Sequence, residues 1–248
     1  MRFSHFLAIA ATTLALGLSQ APAHADDAGD KSLTAAETAM NKAKSHYFEY
    51  EATTTEAGKA DKKVGLNVWI KAEKRLTEFT SPADLKGTKV LILSPTEMYV
   101  YLPAFGKVRR IASHTSDQSA FGMAYSQDEL ATQKYSGDYD AAQTSSSDKE
   151  VKITLTPKSG KTTTYGKIEM TIAKDHNVPT EIKYYNSDSK LVKTETRTGY
   201  TSESDVWTPG TLKMVDHTKN LTTTFTRKKV KVNEAIADDV FSKRSLEN

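Results

Sequence analysis

Alternation with a period of two governs most of this 248-residue chain. Val64, Leu66, Val68 and Ile70 alternate with Gly65, Asn67, Trp69 and Lys71, and the runs "RLTEFTSP", "GTKVLILSP" and "EMYVYLP" follow. Such runs, rich in Thr, Val, Ile and Tyr and bounded by Gly, Pro, Ser or Asp, are strands separated by short turns. The pattern resumes in "VKITLTP", "YGKIEMTIAKD", "PTEIKYYNSDSKLVKTETRTGY", "WTPGTLKMVD" and "LTTTFTRKKVKVN". These predict five or six further strands, with a hairpin turn across residues 186–189. Consecutive hairpins without helix-length crossovers predict an antiparallel sheet rather than βαβ units.

Two stretches interrupt the alternation. Near the start, Leu33, Ala36, Met40, Ala43 and Tyr47 recur at spacings of three and four. That stripe predicts an amphipathic helix, with Asp30 or Ser32 available to cap it. In the middle, "SHTSDQSAFGMAYSQDELATQKYSGDYD" contains Ser126 and, three residues on, Glu129. This spacing reads as a capping box, so short helices and loops are expected here, covering one mouth or face of the sheet. "AAQTSSSDKE" reads as a polar loop and "DDVFSKRSLEN" as a last short helix or turn. The fold class is therefore mainly β with a few helices (α+β).

Several strands are apolar on both sets of positions. Trp69 opposes Val68 and Ile70, Leu91 and Leu93 flank Ile92, and Tyr99 and Tyr101 interleave with Met98, Val100 and Leu102. A sheet with one wet face would alternate cleanly. Both faces of the first half thus need cover. A curved sheet around an apolar hollow satisfies this, and so does a filled sandwich.

The opening "MRFSHFLAIAATTLALGLSQAPAHA" has a positive start, an apolar stretch and an A-x-A ending. It predicts a secretory leader cleaved after Ala25, leaving residues 26–248 as a single exported domain. With no cysteine in the chain, disulfides, thiolate metal sites and lipid attachment at a terminal Cys are excluded. One arginine and no acid leave with the leader, so 33 basic side chains face 31 acidic ones. That balance gives no reason to expect a nucleic-acid partner.

Constellations for chemistry are thin. His114, Asp117 and Ser119 lie together, but no G-x-S-x-G turn accompanies them. His46, His114, His176 and His217 are scattered without metal-ligand spacing, no phosphate-binding glycine loop is present, and no cofactor is expected. Arg227, Lys228 and Lys229 read as a protected sheet edge. In "YLPAFGKVRRIAS", residues 103–106 predict a turn and residues 107–111 a returning strand. Strict alternation would place Arg109 and Arg110 on opposite faces, which argues against a single phosphate clamp.

In order along the chain, "KRLTEFTSPADLKGTKVLIL", "EMYVYLPAFGKVRRIAS", "SAFGMAYSQDELA", "YYNSDSKLVKT", "WTPGTLKMVDHTKNLTTTFT" and "DDVFSKRSLE" form a set of landmarks. In this order they resemble the outer-membrane lipoprotein-sorting proteins, the LolA-like periplasmic family. The resemblance implies an incomplete antiparallel β-barrel, a curved sheet around a helical lid, whose hollow takes the acyl chains of a lipoprotein or lipid. It implies a monomeric, non-enzymatic carrier, with an inner-membrane exporter of the resistance-nodulation-division type and an outer-membrane acceptor as partners. Trp69, Phe79, Leu91, Leu93, Tyr99 and Tyr101 are the candidate lining. Arg75 matches the family's strand arginine that can bond the closed lid; a surface pair with Glu73 or Glu78 is the alternative. Arg109 and Arg110 are candidates for the cavity rim. A periplasmic interaction module that scaffolds an envelope complex is the competing function, and a hydrolase using Ser119 a more distant one.

Overall fold

The computed structural model describes residues 26–112, 119–132 and 134–247. The expected leader lies outside these residues, as do His114 and Asp117. The first half supplies β1 (Ser45–Glu56), β2 (Lys62–Lys71), β3 (Lys74–Ser81), β4 (Lys89–Ser94), β5 (Glu97–Leu102) and β6 (Lys107–Ile111). The second half supplies β7 (Tyr139–Ser146), β8 (Glu150–Pro157), β9 (Lys167–Ala173), β10 (Val178–Tyr185) and β11 (Leu191–Thr198). A small hairpin, β12 (Thr201–Glu203) and β13 (Val206–Thr208), precedes β14 (Thr211–Asp216) and β15 (Leu221–Val232).

Thirteen of these strands make one antiparallel sheet in the order β6-β5-β4-β3-β2-β1-β15-β14-β11-β10-β9-β8-β7. The two halves join where β15 returns to pair with β1, Phe48 opposite Val230 and Ala52 opposite Phe225. The sheet does not close: β6 and β7 are its edges. Because the chain leaves one edge at Ile111 and re-enters at the other at Tyr139, the connection between them has to cross the open side. This topology sets a lid over the sheet.

The two-sided apolar character of the first half is explained by two separate covers. Phe48, Leu66, Val68, Phe79, Val90 and Ile92 share one cluster with Ile153, Leu155 and Met170 of the second half and with Met123 and Tyr125 of the connection. That is the inner face. Leu76, Leu91 and Tyr99 point the other way and pack beneath Phe241 and Leu246, which belong to two 3-10 turns, Asp238–Phe241 and Arg244–Leu246. The chain's own C-terminal segment therefore covers the outer face.

Three local expectations change. The helix α1 runs Asp27–Met40 and is capped by Asp26, whose carboxylate accepts from the Gly29 amide. It stops before Ala43, and Tyr47 belongs to β1, because strand pairing begins at Ser45. "AAQTSSSDKE" is not a loop: most of it is β7, polar because an edge strand leaves Thr144 to Ser146 exposed. Arg227, Lys228 and Lys229 are not on an edge, since β15 sits between β1 and β14; Lys228 and Lys229 reach Glu51 and Glu49 at 3.8 and 3.4 Å.

Candidate functional site

The lid segment, residues 119–132, is shaped by its own hydrogen bonds. Ala120 donates to the Tyr125 carbonyl, closing a tight loop around Gly122, whose φ of 74° suits glycine. A short helix follows, α2 (Gln127–Ala131), with the expected capping box: Ser126 accepts from the Glu129 amide, and the Glu129 carboxylate accepts from the Ser126 amide.

Apolar and polar contacts fasten this segment to the sheet. The Phe121 ring lies 4.6 Å from Phe79, and Tyr125 meets Phe225 edge-on at 5.2 Å. The Ala124 amide donates to Thr223, which is bonded to Thr54. Glu129 pairs with Lys193 of β11 at 2.9 Å and accepts the Tyr165 hydroxyl. From the other half of the sheet, the Arg75 guanidinium donates to the Leu130 carbonyl. Arg75 forms no pair with Glu73 or Glu78, so the surface alternative is set aside; β3 turns it inward beside Thr77 and Phe79.

Beneath the lid lies an apolar hollow of about 110 Å³, walled by Phe48, Tyr50, Leu66, Val68, Phe79 and Ile92 and closed by Phe121, Met123 and Leu130. A wider opening of about 630 Å³ adjoins it at the end of α1, bounded by Met40, His46, Glu195, Arg197 and Trp207. Arg75, Tyr125 and Leu130 border both spaces.

Of the candidate lining, Phe79 faces the hollow. Trp69, Leu91, Leu93, Tyr99 and Tyr101 belong to the outer cluster beneath the C-terminal segment, with Leu93 also reaching the margin of the opening. Their neighbours Val68, Ile70, Val90, Ile92 and Met98 hold the inner positions instead. Alternation identifies two apolar sets, but either could face inward. Val100 opposes Arg109 and Tyr99 opposes Arg110, so the two arginines do point to opposite faces. Arg109 lies over the Phe105 ring and Arg110 donates to the Thr96 carbonyl; neither borders the hollow or the opening.

The inner face of β11 carries what the sequence pattern did not reveal. Lys193 and Glu195 are 8% and 3% exposed. Arg197 grips Glu195 with two hydrogen bonds of 3.0 and 3.1 Å, and Tyr125 and Tyr184 direct their hydroxyls at the same carboxylate. Burial opposes the Arg197 charge, but Glu195 outweighs it and holds the guanidinium above its usual range. Burial and the carboxylates push Tyr125 and Tyr184 up, so both stay neutral donors. Arg75 lacks such an anion, and burial lowers it to about 10. His46 is lowered to about 4 by burial and then by Arg75. The only sequence signal for this network is the alternation of opposite charges at 193, 195 and 197, which also suits a solvated face.

An open antiparallel sheet wrapped around a lidded hollow defines the LolA-like fold. Solved structures that share it include a DUF1329 family protein from Desulfovibrio piger, 21% identical, with a TM-score of 0.82 over 89% of this chain and 100% of that one. A domain from Vibrio parahaemolyticus named for outer-membrane lipoprotein sorting is 21% identical, with a TM-score of 0.78 over 88% of this chain and 99% of that one. A LolA superfamily protein from Nitrosomonas europaea is 18% identical, with a TM-score of 0.72 over 88% and 98% of the two chains. At these identities the likeness establishes the fold. No curated protein matches in sequence. Residues 71–248 match the model of a family described as "Uncharacterized protein", and the chain belongs to that family.

Proposed function

We propose that this protein is a periplasmic carrier that shields the acyl chains of a lipoprotein or lipid on their way to the outer membrane. The observation that carries the reading is the lid: an apolar inner face is closed by a segment held through separate, reversible contacts, among them Arg75 to the Leu130 carbonyl. Burying an acyl methylene gains about 0.8 kcal/mol, so a chain in this space is strongly protected from water. The hollow of about 110 Å³ is below the ~300–1,000 Å³ of ordinary ligand sites. Loading therefore requires the lid to lift and its apolar residues to be replaced by cargo, a two-state exchange that a partner membrane protein can bias.

An exporter of the resistance-nodulation-division type and an outer-membrane acceptor are the partners this role calls for. Among the described residues no helix is long and apolar enough to cross a membrane. Ser119 accepts a hydrogen bond from Lys219, and the carrier reading assigns it no catalysis. The smallness of the closed hollow favours one competitor, a scaffolding module of an envelope complex.

Gentle purification from the periplasm, followed by organic extraction and mass spectrometry, separates these readings. The carrier yields bound lipid and takes up acyl probes; an empty extract with no probe binding overturns it in favour of the scaffold. The gate role of Arg75 predicts that Arg75→Leu alters loading or release, measured as transfer of a fluorescent acyl probe to acceptor vesicles.

A further inference from the structure

Arg75 stands apart from the ion pairs that fasten the lid and β11. Glu129 is matched by Lys193, and Glu195 by Arg197. His46, lowered to about 4, is neutral at physiological pH. Arg75 remains as a cation with no carboxylate partner: its one acceptor is the Leu130 carbonyl, and its Nε is buried with no hydrogen-bond partner among the described residues. Leaving a partly buried guanidinium without a counterion is unfavourable, and it carries five donors, of which a single carbonyl satisfies few. Nearby, the Arg197 Nη1 donates to the Met40 thioether at 3.4 Å.

Position adds a second argument. Arg75 borders both the apolar hollow and the wider opening. A ligand with its chain in the hollow and its head in the opening would bring that head to the guanidinium. The opening is also bounded by Lys44, Lys74 and Lys134 against Glu73, with Glu129 and Glu195 already paired, a rim that attracts anions at low ionic strength.

We propose that Arg75 receives the anionic head of the cargo, a single oxyanion (carboxylate or phosphate) carried on an aliphatic chain. This rests on the carrier reading and narrows it. The lipid anchor of a lipoprotein ends in ester, amide and thioether groups, none of them charged, and would leave Arg75 uncompensated. A fatty acid or an anionic phospholipid would supply the missing charge. The incoming oxyanion would also compete with the Leu130 carbonyl for the guanidinium, so that binding of the head loosens the lid over the space that the chain enters.

The test holds the chain constant and varies the head. Binding of decanoate, decyl phosphate and 1-decanol to the delipidated full protein is measured by calorimetry below their aggregation concentrations, with acetate and inorganic phosphate as chainless controls. The two anions are expected to bind at least about tenfold more tightly than the alcohol, as a charge-assisted hydrogen bond allows, and the chainless anions far more weakly. In Arg75→Gln the acid-to-alcohol ratio falls to about one, and Arg75→Lys retains part of it. Equal affinity for acid and alcohol in the wild-type protein overturns the proposal while leaving the carrier reading intact, and needs no variant to fold. A preference that survives Arg75→Gln also overturns it. Chainless anions binding as tightly as their decyl counterparts would show a free-anion site instead. If none of the decyl compounds binds, the carrier reading fails as well.

Discussion

His46 shows how a single buried side chain couples this fold to pH. Its imidazole is 9% exposed, stacks on Phe48 at 5.3 Å and titrates at about 4, against an ordinary value near 6.5. Between those values the unfolded chain binds a proton that the folded chain refuses. Stability is therefore complete above about pH 6.5 and falls as the pH drops toward 4. By pH 5 this one group removes about 2 kcal/mol. Urea unfolding at pH 7.5 and pH 5 is expected to show that extra loss in the wild-type protein and not in His46→Gln; equal losses would refute the coupling. Nothing in the local sequence marks His46 as special. Its environment is made by burial and then by Arg75 of β3, which lies two strands away in the sheet.

At the scale of elements, α1 and β7 approach each other closely at Gly29. A Cβ added at Gly29 would lie 2.6 Å from the Ala141 carbonyl carbon and from the Ala142 Cα. Propensity alone favours Gly29→Ala by about 1 kcal/mol in a helix. Overpacking against an immovable backbone costs about 1–3 kcal/mol, and the Asp26 cap adjoining this turn would shift with it. The substitution is expected to destabilise by about 1–2 kcal/mol net in urea unfolding; a gain would mean that α1 can move off the sheet. Elements were legible wherever local chemistry specifies them. The Ser126 and Glu129 capping box, the hairpin at 186–189 and the turn at 103–106 all follow from spacing and turn residues. β7 was missed because the polar residues of an edge strand resemble those of a loop.

For the whole molecule, the C-terminal segment acts as a cover. Phe241 and Leu246 are 4% and 0% exposed against Leu76, Leu91 and Tyr99. Lys71 anchors the segment through the Ile236 carbonyl and Asp238, Lys89 through the Ser245 carbonyl, and Lys243 lies over the Tyr99 ring. A chain ending at Asn233 would expose a contiguous apolar patch on the outer face, a surface of the kind that drives association. That truncation is expected to self-associate with rising concentration in sedimentation velocity, whereas the full chain does not. A monodisperse truncated monomer would show that the segment is dispensable as a cover.

Period-two alternation, the turn residues and the absence of crossover helices were enough to establish an antiparallel sheet with two apolar faces in its first half. Ordered landmarks along the chain pointed to the LolA-like fold. Which face is the hollow was decided only in three dimensions. Trp69 and Val68, or Leu91 and Ile92, are equally apolar neighbours on opposite faces, and only the placement of the lid and the C-terminal segment assigns them. The charged network was hidden for the same reason. Lys193 finds Glu129, and Arg75 finds Leu130, across 64 and 55 residues of chain. Alternation is a local property of the backbone; burial and counterions depend on what the rest of the chain brings alongside.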